Sequence, residues 1–407
     1  MTTSAQPRAD DLVGSRLSLD VGPVAHGGHC VARYEGRVVF VRHALPGERV
    51  EAVVTEGGAT SRFLRADAVD VLEPSPHRVP APCPHARPGG CGGCDFQHAD
   101  LGYQRELKAT VVREQLDRLG GLADEPLVEH LSVLAVPGDS GGLGWRTRGR
   151  FAVDADGRAG LRRHRSHQVE VLADCPLLHP DVTATGVLAR RWPGATEVAV
   201  AASSQGGRVV AVDGVPQGPA RLVESAGGRT WRVSGTGFWQ VHPGAAPALL
   251  AAVRGSLDPQ PGEHLLDLYA GVGLFGGSLA ADLGPGGRVD AVEADARAVR
   301  DARRNLHDRP TVRLHQDRVE RWLPGCGLRR CDLVVLDPPR TGAGRRVVEA
   351  IAALQPRAVA YVACDPASLG RDLGTFRALG WRLADLQAYD LFPMTHHVEC
   401  VALVEMS

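Results

Sequence analysis

The strand-like stretch AVAYVACDPASLGRD places Cys364 at its end, just before a loop and a helix. The dipole of a following helix favours an ionised thiol, and the thiolate is the nucleophilic form. A core cysteine is the bland alternative, but Cys364 falls outside the apolar run. Glu399 opens the stretch ECVALVEM, where a carboxylate can serve as a general base, with a solvated strand-end charge as the alternative. Asp337 closes LVVLD and precedes Pro338 and Pro339, which stiffen the exit from that strand. Thiol and both acids therefore fall at strand ends, where open α/β sheets bind their ligands.

In HLLDLYAGVGLFGGSLAADL an apolar strand ends in Asp267 and runs through Gly271 and Gly273 into a helix that starts near Leu274. Glycines at such a turn let the backbone approach a ligand closely. Further on, DAVEAD ends a second strand in Glu293, whose carboxylate suits the two hydroxyls of a ribose. A third glycine for pyrophosphate packing is out of register. A neutral or cationic cofactor without phosphates, such as S-adenosylmethionine, therefore fits better than a dinucleotide. On these residues alone another nucleotide, or a purely structural turn, stays open. Asp317, after RLHQ, is a further candidate for the adenine edge.

A methyl donor, a thiol and a carboxylate at neighbouring strand ends suit one kind of reaction. Carbon 5 of uracil is a poor nucleophile until a thiolate adds to carbon 6 and generates an enolate, which can then attack a sulfonium methyl. A base must afterwards remove the proton on carbon 5. Cys364 and Glu399 are the candidates for these two roles.

The elements that must hold these residues follow from the patterning. After residue 236 strand and helix alternate, which predicts a Rossmann-like, mostly parallel doubly wound α/β sheet. Residues 12–72 read as short β-segments broken by Gly and Pro at turn spacing, predicting an OB-like five-stranded barrel, an architecture used on nucleic acids. A Pro-rich linker follows, and LGYQRELKATVVREQLDRLGG carries apolar residues at helical spacing with a closing Gly pair. Between about residues 130 and 235, hairpins with Asp-Gly and Gly-Gly turns predict a mostly antiparallel central domain. The expected boundaries are 1–72, 73–236 and 237–407, with helix 101–120 able to dock on the third domain. Arg146, Arg148, Arg150, Arg158, Arg162, Arg163 and Arg165 gather in the central part, either as a solvated hairpin face or as a strip facing RNA.

A chain of 407 residues exceeds what one core usually serves, in keeping with several domains. Its net charge of −1 excludes a globally basic surface, so any RNA site must be local. Lys108 is the one lysine among 46 basic residues. Arginine suits bidentate phosphate contacts and base stacking, although a GC-rich genome accounts for the bias at least as well. No apolar run approaches the ~20 residues of a membrane span. The opening MTTSAQPRADD lacks the basic patch and apolar stretch of an export signal, so a cytoplasmic protein without disulfides is expected.

Five motifs together resemble the uracil-5 RNA methyltransferases that include the bacterial tRNA and 23S rRNA enzymes. They are FWQVHPG (238–244), DLYAGVGLF (267–275), VVLDPPRTG (334–342), YVACDPASLGRD (361–372) and FPMTHHVECV (392–401). The resemblance implies that Gln240, Tyr269, Glu293 and Asp337 contact S-adenosylmethionine, with Gly271 and Gly273 in the cofactor loop. It further implies that Cys364 is the nucleophile and Glu399 the base. The N-terminal barrel resembles a TRAM domain, a module that accompanies the rRNA-modifying branch more than the tRNA branch. The expected partner is therefore RNA, rRNA ahead of tRNA, with the enzyme a monomer. Two residues depart from the family pattern: His242 stands where Asn is usual, and Asp365 stands where Asn usually follows the nucleophile. An acid beside Cys364 is expected to raise the thiol's pKa.

Nine cysteines are present, of which Cys91 and Cys94 form a CxxC, Cys83 precedes them and Cys175 lies far downstream beside Pro176. Four thiolates can close a zinc site or hold an iron–sulfur cluster. A lone distant fourth cysteine fits a cluster better than a zinc ribbon, and the resemblance implies a [4Fe-4S] cluster on these four. Seven residues separate Cys83 from Cys91, against five in the family, so a longer loop must be accommodated. The cluster's expected role is to shape the central domain and its RNA surface.

Overall fold

The computed structural model describes residues 12–406. The opening segment read above for an export signal lies outside the described residues. The chain divides into two compact units. The first runs to Val111 and takes in Leu161–Glu170 and Met394–His396; the second comprises Val112–Gly160, Val171–Pro393 and the chain from His397.

In the first unit a sheet closes around one core. Strand Arg16–Asp20 pairs with Arg49–Glu56, followed by Phe63–Glu73, Arg37–Arg42, His29–Tyr34 and the two-residue Val24–Ala25, which makes six strands where five were expected. Alternation turns Leu17, Leu19, Val50, Ala52, Val54, Leu64 and Ala66 inward and leaves Arg16, Asp20 and Glu73 outside. Register shifts between Arg49–Glu56 and Phe63–Glu73 add the local twist that bends this long pair. Helix Leu101–Gly120 begins where the Asp100 carboxylate accepts the Tyr103 N–H at 2.9 Å, an N-cap the sequence reading had not named. Its Leu107 and Val111 join the barrel core.

The expectation of a [4Fe-4S] cluster, or of zinc, on Cys83, Cys91, Cys94 and Cys175 is not met. Among the described residues no group of three or more His, Cys, Asp or Glu side chains is placed to hold a metal ion. Cys83, Cys91 and Cys94 belong to the first unit and Cys175 to the second. In the CxxC loop the sulfurs act as local acceptors: Cys94 takes the Gln97 side-chain N–H at 3.0 Å, and Cys91 takes the Gly93 backbone N–H at 3.3 Å.

The second unit contains the predicted antiparallel hairpins. Strand Arg148–Val153 turns back through Asp154–Gly157, where the Asp154 carboxylate accepts the backbone N–H groups of Asp156 and Arg158, and pairs with Ala159 and Gly160. Strands Glu197–Ala202, Arg208–Val212 and Val215–Gln217 extend the pairing, the last turn using Asp213 and Gly214, both with positive φ. Arg148, Arg150 and Arg158 each meet an acid, Glu224, Glu197 and Asp154, within 3.0 Å, so this part of the arginine strip is largely neutralised in place.

The rest of the second unit is the predicted doubly wound sheet. Its order is Val312–Gln316, Arg288–Glu293, His264–Leu268, Leu333–Leu336, Ala358–Ala363, Glu399–Met406, Trp381–Asp390 and Val133–Ala135, with Glu399–Met406 antiparallel to both neighbours. The central strands are apolar throughout because both faces are covered, as the burial of all of Leu333–Leu336 and Ala358–Ala363 shows. Helix Pro366–Ala378 follows Cys364 and is crossed closely by Val112–Gly120: a Cβ on Gly370 would come 2.7 Å from the Gln115 carbonyl oxygen. Only glycine permits that approach.

Candidate active site

Strand register brings the candidate residues together. Leu268 pairs with both Val292 and Leu336, so Tyr269, Glu293 and Asp337, each one residue further on, stand level at the carboxyl ends of three adjacent strands. Ala363 pairs with Cys400 in antiparallel register, and one further step along each strand carries Cys364 and Glu399 to the same end of the sheet. The two reactive candidates, 35 positions apart in sequence (399 − 364), come to the ends of adjacent strands.

One cavity of about 610 Å³ receives Gln240, Tyr269, Gly271, Glu293, Asp337, Cys364 and Glu399 on its wall. The Glu293 carboxylate accepts the backbone N–H of Gly271 at 2.9 Å and that of Asp295 at 2.7 Å, which locks it to the glycine turn. Tyr269 holds a positive φ of 63° and donates its hydroxyl to Glu320 at 2.9 Å. Gly273, expected in the cofactor loop, lies off the cavity wall. Its φ of 90° and a virtual Cβ only 2.6 Å from Leu306 show a packing role at the start of helix Leu274–Leu279. Asp317 is also off the wall, its carboxylate accepting from Arg321 and from the Arg318 backbone.

The exit loop after Asp337 is tied down from the neighbouring helix. The Asp372 carboxylate accepts from the Ala343 and Gly344 backbones, at 2.8 and 3.2 Å, and from the Tyr361 hydroxyl at 2.6 Å. Arg340 and His397, which the sequence reading passed over although both sit inside its motifs, face the same cavity and lie 3.2 Å apart, Arg340 Nη2 to His397 Nε2. Phe238 was overlooked as well. It stands on the cavity wall with 71% of its surface exposed, far more than a ring of core origin would show.

The electrostatics reverse one expectation. The helix after Cys364 was expected to favour the thiolate, yet burial pushes the thiol up to about 12, with Glu399 and then Asp337 adding to the shift and Arg340 opposing it. Asp365 raises it too, as expected, but least of all. Its carboxylate is engaged as the cap of helix Pro366–Ala378, accepting the Ser368 N–H at 2.8 Å. Glu399 is also driven well above the ordinary carboxylate range by burial and by the charge of Asp337. Asp337 moves up for the same first reason, with Asp267 adding. A closely set group of buried acids thus keeps its protons to higher pH than free carboxyls do.

His242, at the position where the resemblance leads to Asn, caps its own turn. Its Nδ1 accepts the Gly244 N–H at 3.0 Å, its ring stacks on Trp145 at 6.2 Å, and burial lowers its pKa, so it is a neutral acceptor off the cavity wall.

Comparison with known proteins identifies the family and the fold. A family model described as TRAM domain matches residues 11–69, and one described as tRNA (Uracil-5-)-methyltransferase matches residues 249–407. An uncharacterized RNA methyltransferase of Streptomyces avermitilis is 50% identical, over 97% of this chain and 99% of that protein. One from Corynebacterium efficiens is 36% identical over 98% of this chain and 97% of its own length. The solved tRNA (uracil-54, C5)-methyltransferase of Pyrococcus abyssi, in complex with S-adenosyl-L-homocysteine, shares the fold. Its TM-score is 0.68 at 21% identity, covering 95% of this chain and 99% of that one.

Proposed function

The chain belongs to the uracil-5 RNA methyltransferase family, and on that premise we propose that it methylates carbon 5 of a uridine in RNA through a covalent adduct on Cys364. The observation that carries this reading is the single cavity walled by Cys364, Glu399 and the glycine turn with Glu293.

The wall residues fit S-adenosylmethionine. Even with Asp337 and Glu399 holding their protons, Glu293, Asp295 and Asp301 outnumber Arg297 and Arg340 on the wall, which favours a cationic ligand over a phosphate-bearing one. When bound, S-adenosylmethionine supplies an electrophilic methyl group on a positively charged sulfur. Glu293 would accept from its ribose hydroxyls, and Gln240, Tyr269 and Asp337 would hold the remainder.

The thiol of Cys364 first loses its proton to solvent. Its sulfur then bonds to carbon 6 of the uracil, and the displaced electron pair makes carbon 5 nucleophilic enough to take the methyl group. Glu399, after giving up its own proton to solvent, accepts the proton that carbon 5 must then lose. A carboxylate whose pKa is raised by burial is a stronger base than a free one, which suits it to a carbon-bound proton. As the proton leaves, the carbon–sulfur bond breaks and the ring double bond returns.

The proposed substrate is 23S rRNA, because the TRAM barrel accompanies the rRNA-modifying branch. The description of the matching family model favours a tRNA substrate as the second reading. Mapping modified uridines by mass spectrometry in rRNA and tRNA from cells lacking the gene separates the two. A 5-fluorouridine RNA incubated with cofactor should leave a protein–RNA adduct on Cys364, since fluorine cannot leave as a proton. RNA binding without any adduct would refute the covalent route. Glu399→Gln should still transfer the methyl group while retaining RNA.

A further inference from the structure

The turn that carries Arg340 is gripped from outside the catalytic cavity. Pro339, Arg340, Thr341 and Gly342 form a tight turn, closed by the Gly342 N–H on the Pro339 carbonyl at 2.8 Å. Pro338 and Pro339 stiffen the chain on its way in. On its way out, the N–H groups of Ala343 and Gly344 converge with the Tyr361 hydroxyl on one oxygen of Asp372, its Oδ2, at 2.8, 3.2 and 2.6 Å. Burial above all, with Asp372 adding, pushes the Tyr361 hydroxyl up, so it stays protonated and donates. Asp372 is 4% exposed, Tyr361 is fully buried, and both lie off the cavity wall. A buried carboxylate is costly unless donors surround it, and here two of the three donors come from the backbone that leaves the turn.

The contact is tight in shape as well. Gly342 holds a φ of 85°, and a Cβ there would come 2.8 Å from Asp372 Oδ2 and 3.0 Å from the Cβ of Ser368. Ser368 and Asp372 lie one turn apart on the same face of helix Pro366–Ala378, whose cap, Asp365, directly follows Cys364. One helix therefore begins at Cys364 and, one and two turns later, seats the turn of Arg340. Arg340 shares the cavity wall with Cys364 and Glu399 and opposes the upward shift of both. The influence of a charge falls with distance, so displacing this turn changes what Arg340 does to its two neighbours.

We propose that Asp372 is a positioning residue: by holding the Pro339–Gly342 turn against helix Pro366–Ala378, it fixes where the Arg340 guanidinium stands relative to Cys364 and Glu399. This role rests on the reading of Cys364 and Glu399 as the reacting groups, and it adds a residue that acts on them without touching substrate or cofactor.

The test is a double-mutant cycle with Arg340→Gln on the full chain. It is read by the rate at which iodoacetamide alkylates Cys364, followed by mass spectrometry of that peptide, and by the pH–rate profile of methyl transfer. Asp372→Asn keeps the size of the side chain and removes the charge that gathers the three donors. Gly342→Ala disturbs the same contact from the turn's side and leaves Asp372 in place. Each should slow alkylation at pH 8 and lower kcat/KM at pH 7 by about tenfold, what one hydrogen bond to a charged group is worth. Each should also move the profile to higher pH, as Arg340→Gln does. In chains that already carry Arg340→Gln, neither should cost more than about twofold further. The same loss with and without Arg340 would make Asp372 merely structural and overturn the proposal. Parental alkylation and parental profiles in both variants would overturn it too. Binding of S-adenosyl-L-homocysteine should stay within about twofold of the parent, because neither position lines the cavity. Its loss in both variants would overturn the proposal by showing that Asp372 supports the whole site. Alkylation rates that follow the cycle in a chain forming no adduct with 5-fluorouridine RNA would refute the proposed reaction and leave the role of Asp372 standing.

Discussion

Arg340 Nη2 lies 3.2 Å from His397 Nε2 on the cavity wall, and Arg340 is the cation that opposes the upward shift of both Cys364 and Glu399. Removing its charge leaves the buried acids and the thiol without that counterweight. Arg340→Gln should therefore lower kcat/KM at pH 7 by roughly tenfold or more. The activity should recover in part as pH is raised, which a pH–rate profile of the variant against the parent would read. An unchanged profile would show that Arg340 does not influence Cys364.

The free enzyme should hold Cys364 as a thiol. With its pKa near 12, the thiolate fraction rises about tenfold per pH unit across the range from 7 to 10. Alkylation of Cys364 by iodoacetamide, followed by mass spectrometry, should climb with that slope and reach no plateau below pH 10. A plateau near pH 7 would mean that the helix dipole outweighs burial and the nearby acids.

Asp267 offers a stability test with a defined sign. Its carboxyl is buried, its folded pKa is raised from 3.8 to about 7, and its side chain accepts the Gly276 N–H at 2.8 Å. A raised pKa contributes stability that is fully present below the unfolded value and lost as pH climbs through the folded one. Wild-type stability should then decline between about pH 4 and 7. Asp267→Asn keeps an acceptor for Gly276 and has no proton to lose, so its Tm should be less sensitive to pH in this window. At pH 8 it should exceed the parent by an amount worth at most about 4 kcal/mol. Parallel Tm curves for the two chains from pH 4 to 8 would contradict the assignment.

His242→Asn should be nearly silent. The Asn side-chain oxygen can accept the Gly244 N–H as Nδ1 does now, and His242 does not reach the cavity wall. The loss is the stack on Trp145, worth about 1 kcal/mol. Methylation rates within twofold of the parent, with a Tm a few degrees lower, are the expected result; a large fall in kcat would assign His242 a part in the chemistry.

Much of the site was legible along the chain because its chemistry is carried by local motifs at strand ends. Each of Glu293, Asp337 and Cys364 ends or follows a largely buried strand of four to six residues. A parallel sheet delivers such positions to one edge whatever the details of packing. The hairpin turns were legible for a similar reason, since Asp213-Gly214 permits the positive φ values that a tight turn demands. Other residues could not be sorted in this way. Gly271 and Gly273 look alike in sequence, but only Gly271 reaches the cavity while Gly273 makes room for Leu306. The CxxC spacing suggested metal ligands, whereas the loop uses its sulfurs as acceptors for Gln97 and Gly93.

The sequence by itself determined the class of sheet, the barrel and the positions of Cys364, Glu399 and Glu293 at element ends, because these depend on periodicity and on residue type. Only the tertiary structure decided the charge state of the site. Whether Cys364 is a thiolate depends on how much water it has lost and on which acids surround it, and Glu399, Asp337 and Arg340 come from separate segments. Desolvation and charge proximity are properties of positions in space, so a helix dipole legible from local sequence was outweighed by neighbours that no spacing rule could supply.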